Sequence, residues 1–213
     1  MIVYITFAQR DEQPNWAQAY ARHAQRFEEC GGGWPCLLLP YYHASRELLV
    51  RLNPYAVVFS GFARSWCAYP ARDLLEVGRI LTDLPRLPML ALCGSHQLVG
   101  FVFNGELTED ADLQDQPMRR LRPGEPVNNP DYHPEYLMER GFYPLQVQEP
   151  DPLFADCGNP PMVYESHYCE VKKVPPDFRL LASTAECRIQ AMRHRDRLLY
   201  SLQFHPEDYT DAF

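Results

Sequence analysis

Pro88-Met89-Leu90-Ala91-Leu92-Cys93-Gly94-Ser95-His96-Gln97-Leu98 carries an apolar run that stops abruptly at a cysteine set among small residues. The four apolar residues after Pro88 suit a buried parallel strand, and Gly94 and Ser95 supply a tight turn into a helix. Such an elbow strains the backbone of its central residue, which small neighbours two positions to either side make tolerable. Ala91 and Ser95 meet that demand. The order strand, turn, helix predicts a thiol at the carboxyl end of a sheet, beside a helix N-terminus whose dipole favours thiolate. From this stretch alone Cys93 reads either as a nucleophile or as a buried core cysteine.

Upstream, Ile2 to Phe7 reads as a first strand, and Trp16, Tyr20, His23 and Phe27 recur at helical spacing within Pro14 to Cys30 until Gly31-Gly32-Gly33 stops the helix. Cys36 to Leu39 is a short strand, Ser45 to Leu52 a short helix and Tyr55 to Phe59 a third strand. Pro70 opens a helix whose Leu74, Leu75, Val77, Ile80 and Leu81 offer a core face. Strands alternating with helices predict an α/β fold with a mostly parallel, doubly wound sheet flanked by helices and with function at the carboxyl ends of its strands.

From Glu106 to Tyr136 periodicity is lost among prolines and charges, which predicts a loop insertion facing substrate or partner, against a passive surface loop. Arg119, Arg120 and Arg122 follow acidic residues from Glu109 to Asp115 and predict a solvated loop face. Beyond it, Phe142–Val147, Met162–Glu165, Arg179–Ala182, Ile189–Met192 and Leu198–Phe204 read as short strands that finish the sheet. The last ends in Gln203-Phe204-His205-Pro206-Glu207. Residues i and i+2 of a strand point to one side, so Glu207 is expected to orient His205, which takes the Cys93 proton. His96 on the elbow helix and His194 at the close of a strand are set aside as bases in favour of His205, and His167 reads as packing or pocket wall.

Cys93-Gly94-Ser95-His96-Gln97 and Gln203-Phe204-His205-Pro206-Glu207 together resemble the class I glutamine amidotransferase family, whose patterns run Gly-x-Cys-x-Gly-His-Gln and Gln-Phe-His-Pro-Glu. Ala91 and Ser95 stand at the two glycine positions, and Tyr164–Val171 and Ile189–His194 look like family segments in family order. The resemblance implies a flavodoxin-like sheet over a single domain, 1–213, with a strand-rich second half. It implies a Cys93, His205, Glu207 triad. The glycine-bearing turn Ser60-Gly61-Phe62-Ala63 would lend one oxyanion-hole amide, from Gly61 or Phe62, with Gly94 supplying the other. It also places Gln97, Tyr168 and Cys169 at the glutamine substrate, with Cys169 where the family carries an acidic or apolar residue. Six residues after Glu207 the sequence ends, where the family normally adds a segment.

The 213 residues are 46% hydrophobic, as ordinary globular proteins are. With 28 acidic and 20 basic residues the formal charge is −8, which argues against a nucleic-acid partner. Seven cysteines without paired spacing predict a reducing compartment, and no Cys/His pattern or H-x-x-x-H spacing predicts a metal or cofactor. No apolar run approaches the roughly 20 residues of a membrane span, and Met1 leads straight into a strand, so a cytoplasmic protein without a signal peptide is expected. Three functions stay open: a glutaminase feeding ammonia to a separate synthetase partner, a hydrolase or transferase acting on a γ-glutamyl compound, and a non-catalytic binding or regulatory subunit.

Overall fold

The first strand, β1 (Ile2–Thr6), is buried along its whole length, and successive side chains feed opposite cores. Val3 and Ile5 face one layer, Ile2 and Tyr4 the other. That two-sided burial demands helices on both faces, and the computed structural model, which describes residues 1–62 and 64–208, supplies them. Helix α1 (Gln13–Cys30) covers the Tyr4 face with Tyr20 and Ala24, followed by β2 (Cys36–Pro40). Helix α2 (Arg46–Leu52), β3 (Ala56–Phe59), α3 (Ala71–Asp83), β4 (Met89–Leu92) and α4 (Gly94–Phe103) come next. α3 packs Leu74, Val77, Ile80 and Leu81 on the Val3 face, each contributing about 1.5–3 kcal/mol of burial.

Two details of the helices differ from the expectation. Trp16 is 37% exposed and stacks on Tyr20, and Leu75 is half-buried, so both sit at the edge of their helix's buried face. α2 begins as its sequence says: Ser45 caps it by accepting from the Leu48 N–H at 3.2 Å, and Asn53 closes it in the left-handed region.

The second half contributes β5 (Glu139–Pro144), β6 (Gln146–Val147), β7 (Met162–His167), β8 (Phe178–Ser183), β9 (Ala191–His194) and β10 (Leu199–Leu202). Among the described residues the main sheet runs β2-β1-β3-β4-β10-β9-β8-β6, parallel from β2 to β10 and antiparallel beyond. β10 therefore lies directly beside β4, with Leu202 opposite Leu92, so both motif-bearing strands end together.

The strands after the insertion do not all finish this sheet. β5 and β7 pair only with each other, as a separate antiparallel ribbon. The run expected as one strand over Phe142–Val147 breaks at Pro144, which has no N–H for a ladder, and Leu145 turns inward to donate to the Pro161 carbonyl at 2.8 Å. The insertion is likewise not a free solvated face at Arg119. That guanidinium ion-pairs with Glu125 at 2.7 Å and with Glu186, beyond β8, at 2.5 Å, pinning the loop back onto the sheet. Two bridges, Pro117 with Cys169 and Arg120 with Tyr136, hold the rest. No helix among the described residues is long and apolar enough to cross a membrane.

Candidate active site

Cys93 sits between β4 and α4 with φ +49° and ψ −109°, a conformation that a non-glycine residue adopts at a cost of about 1–3 kcal/mol. The neighbouring structure holds it there. Its N–H donates to the Leu202 carbonyl at 2.8 Å, and its own carbonyl accepts from Gln97 N at 3.2 Å. Ala91 is fully buried under the turn. Ser95 hydrogen-bonds through its hydroxyl to the Ser60 carbonyl, so the residue that departs from glycine ties α4 to the end of β3. Gly94 has no such freedom: a Cβ there would meet the Phe62 amide nitrogen at 2.6 Å. The Gly94 and Phe62 backbones are thus pressed together beside Cys93. Gly61 borders both side chains, since a Cβ on it would lie 3.5 Å from Cys93 Cβ and 3.5 Å from His205 Cε1. Ala63, in the same turn, lies outside the described residues.

His205 and Glu207 meet as expected but by a different route. β10 stops at Leu202, and Pro206–Asp208 form a single 3-10 turn, so the pair is not aligned by strand alternation. Pro206 opens that turn, where its missing N–H and fixed φ cost nothing. His205 N donates to the Tyr164 carbonyl of β7 at 2.9 Å, and His205 Nδ1 lies 2.9 Å from Glu207 Oε1. A carboxylate accepts, so Nδ1 carries the proton and Nε2 is left to receive one. Nε2 is buried beside the thiol without a closed hydrogen bond, as catalytic contacts often are before substrate binds. Burial by itself would depress this imidazole, but Cys93 and Glu207 outweigh it and hold it well above its ordinary value.

The other histidines serve elsewhere. His96 is fully buried: a carbonyl accepts only, so its Nε2 donates to Ile189 at 3.0 Å, and Nδ1 accepts from the Ser201 hydroxyl at 2.6 Å. Burial pulls it down to about 3, which keeps it neutral. His167 Nδ1 donates to the Cys169 carbonyl, and its Nε2 faces Glu139 at 3.0 Å and Glu165 at 3.2 Å. Burial opposes its charge, yet the two carboxylates push it up to about 10, so an imidazolium lies under the pocket floor. Glu139, His167 and Cys187 bring their ligating atoms within 4.8 Å of one another, but that imidazolium already supplies the positive charge a cation would bring.

Around Cys93 opens a cleft of about 380 Å³, including its mouth, walled by Phe62, Arg64, Trp66, Asp115, Tyr168 and Cys169. Tyr168 and Cys169 stand on that wall, and burial pushes the pKa of both hydroxyl and thiol up. Gln97 is there too, but its groups are spent on protein. Its Oε1 accepts from Trp66 Nε1 at 2.9 Å, and its Nε2 donates to the Cys169 carbonyl at 3.1 Å and to Gln203 Oε1 at 3.4 Å. Gln203 in turn points Nε2 at Cys93 Sγ, 3.6 Å away, a contact signalled only by its place in the motif. Asp115 comes from the insertion and had no local signal. It accepts from Trp66 N at 2.8 Å, from the Tyr132 hydroxyl and from His133 Nε2 at 3.2 Å, fastening the insertion to the cleft.

A family model described as glutamine amidotransferase class-I matches residues 23–212. The chain is 30% identical over 172 residues to a glutamine-hydrolysing GMP synthase subunit of Methanothermobacter thermautotrophicus, covering 79% of this chain and 78% of that one. It is 29% identical over 161 residues to the same subunit of Pyrococcus abyssi, 76% and 70% of the two chains. In fold it is similar to a crystal structure described as a putative GMP synthase subunit of Thermoplasma acidophilum, with TM-score 0.66 and 22% identity over 97% of this chain and 84% of that one. A glutamine amidotransferase of Thermotoga maritima superposes with TM-score 0.64 and 16% identity, covering 97% and 76%.

Proposed function

Because this chain belongs to the class-I glutamine amidotransferase family, we propose that it hydrolyses the side-chain amide of glutamine on Cys93 and supplies the ammonia to a separate synthetase chain. The observation that carries the reading is the elbow: a thiol at φ +49° on a helix N-terminus, beside a histidine bonded to a buried carboxylate.

In this mechanism His205 Nε2 takes the Sγ proton, and the thiolate attacks the glutamine Cδ. The oxyanion is met by the Gly94 N–H and by the Gly61 or Phe62 N–H, packed against it. Collapse breaks the C–N bond, His205 returns the proton, and ammonia leaves a γ-glutamyl thioester. His205 then deprotonates a water that attacks the thioester, releasing glutamate and restoring Cys93. Glu207 keeps the imidazole in the tautomer this needs and stabilises its charge. The relatives named as a glutamine-hydrolysing GMP synthase subunit support a synthetase as partner, because the name is that of one component of a larger enzyme.

Asp115, brought to the cleft wall by the insertion, favours a second reading in which the leaving group is larger and the substrate is a γ-glutamyl conjugate. Turnover of free glutamine and of γ-glutamyl conjugates, measured with and without the synthetase, separates the two. The first reading expects weak glutaminase activity alone and stimulation in the complex; full activity of the isolated chain on conjugates supports the second. Cys93→Ala should abolish turnover with the fold intact, and retained activity would falsify both.

A further inference from the structure

Helix α1 reaches the back of the proposed triad. Asp208, next to Glu207, divides its carboxylate: Oδ1 lies 2.9 Å from His23 Nε2, and Oδ2 lies 3.8 Å from His205 Nδ1. His23 is buried on α1, and its Nδ1 is 3.1 Å from the hydroxyl of fully buried Tyr4. Arg26, three residues on and so on the same helix face, donates to the Glu207 carbonyl at 2.9 Å. The hydrogens follow from the acceptors. Asp208 accepts, so His23 Nε2 donates, and Nδ1 accepts from Tyr4, whose hydroxyl burial keeps protonated. Both ring nitrogens of His23 are thereby engaged.

We infer that Asp208 and His23 are positioning residues of the triad: Asp208 is a second carboxylate on His205, and His23 fixes the rotamer that aims it. The inference rests on His205 being the base. Asp208 is 40% exposed in its side chain, so without His23 it would turn to water and leave His205 with Glu207 alone. The hydrogen bond from His23, with the charges of His205 and Arg22, holds the Asp208 carboxyl below the usual range despite partial burial. The groups facing His205 are Cys93 from the elbow, Glu207 and Asp208 from the turn, and Tyr164 and Glu165 from β7. Those facing His23 are Tyr4, Tyr20 and Asp208.

The test pairs a nitrogen-15 histidine NMR titration with glutamine hydrolysis in the full chain. Removing an anion 3.8 Å from His205 favours its neutral form, so Asp208→Asn should lower the His205 titration, and the acid limb of kcat/KM, by about one pH unit. The lost orientation should cost about tenfold in kcat with KM within twofold. His23→Phe should move both quantities in the same direction, His23→Gln, which can still donate to Asp208, should recover toward wild type, and Asp208→Asn with His23→Phe together should be no worse than Asp208→Asn alone. An unmoved His205 titration in Asp208→Asn, or losses that multiply in the double variant, overturns the inference. Should His23→Phe not fold, Asp208→Asn and His23→Gln decide it. Cys93→Ala in the same assay reports on the triad separately: turnover there sinks the proposed function, while the NMR titration still decides the coupling.

Discussion

Replacing Gly94 with alanine separates the two demands that the elbow makes on its helix start. The new Cβ would stand 2.6 Å from Phe62 N, 2.6 Å from its Cδ2 and 2.7 Å from its Cβ, and the first of these is backbone. Phe62 has nowhere to go. Its ring is stacked 4.2 Å from Phe7, tilted against Trp66 at 4.4 Å and edge-on to Tyr69 at 4.7 Å. Overpacking of this kind costs about 1–3 kcal/mol, and the rigid neighbours put Gly94→Ala near the upper end. At about 2–4 °C per kcal/mol for a chain of this length, the melting temperature should fall by about 6–12 °C. Whatever relief occurs must move the Phe62 amide, and if it serves the oxyanion hole kcat should drop by about 10²–10³ at nearly constant KM. Gly61→Ala is the control, because its Cβ finds ordinary contacts at 3.5 Å or more: it should melt near wild type yet obstruct the space between Cys93 and His205. Calorimetry and steady-state glutamine hydrolysis read both variants. A Gly94→Ala protein melting within 1 °C of wild type with kcat within twofold would refute the reasoning.

Ser95→Ala removes the hydroxyl that donates to the buried Ser60 carbonyl and should cost about 1–3 kcal/mol, seen as an earlier urea midpoint; an unchanged midpoint means the hydroxyl does not brace the turn. Stability against pH should be a dome bounded by two buried histidines. His167, raised to about 10, contributes fully below its unfolded pKa near 6.5 and loses that contribution as pH rises through about 10. His96, depressed to about 3, stays neutral when folded, so its cost grows as pH falls from about 6.5 toward 3. Urea midpoints at pH 4, 7 and 10 should therefore peak at the middle value, and a flat profile would count against both assignments.

The elbow and the terminal motif were readable in the sequence because each is local chemistry. An apolar run, a cysteine between small residues and a helix start within eleven positions allow few other conformations, and alternating strand and helix patterns dictate the parallel half of the sheet. Partner choice is a different matter. β5 and β7 have strand patterning, but nothing within six residues says they pair with each other rather than extend the main sheet, since pairing is settled by contacts between residues far apart in the chain, such as Glu139 with His167. The same holds for side chains. Gln97 occupies the first turn of a helix in any reading, yet whether its amide faces substrate or Trp66 depended on where the β3–α3 connection folds. His205 and Glu207 meet as the motif suggests but not by strand alternation, because the strand has already ended at Leu202 and a 3-10 turn carries the pair. Asp115 and His23 carry no sign of their contacts at the site in their own neighbourhoods, His23 reading only as part of a helical face. Each became part of the site only when the insertion and α1 were packed against strand ends formed elsewhere in the chain, and long-range packing leaves no periodic trace in the segments it joins.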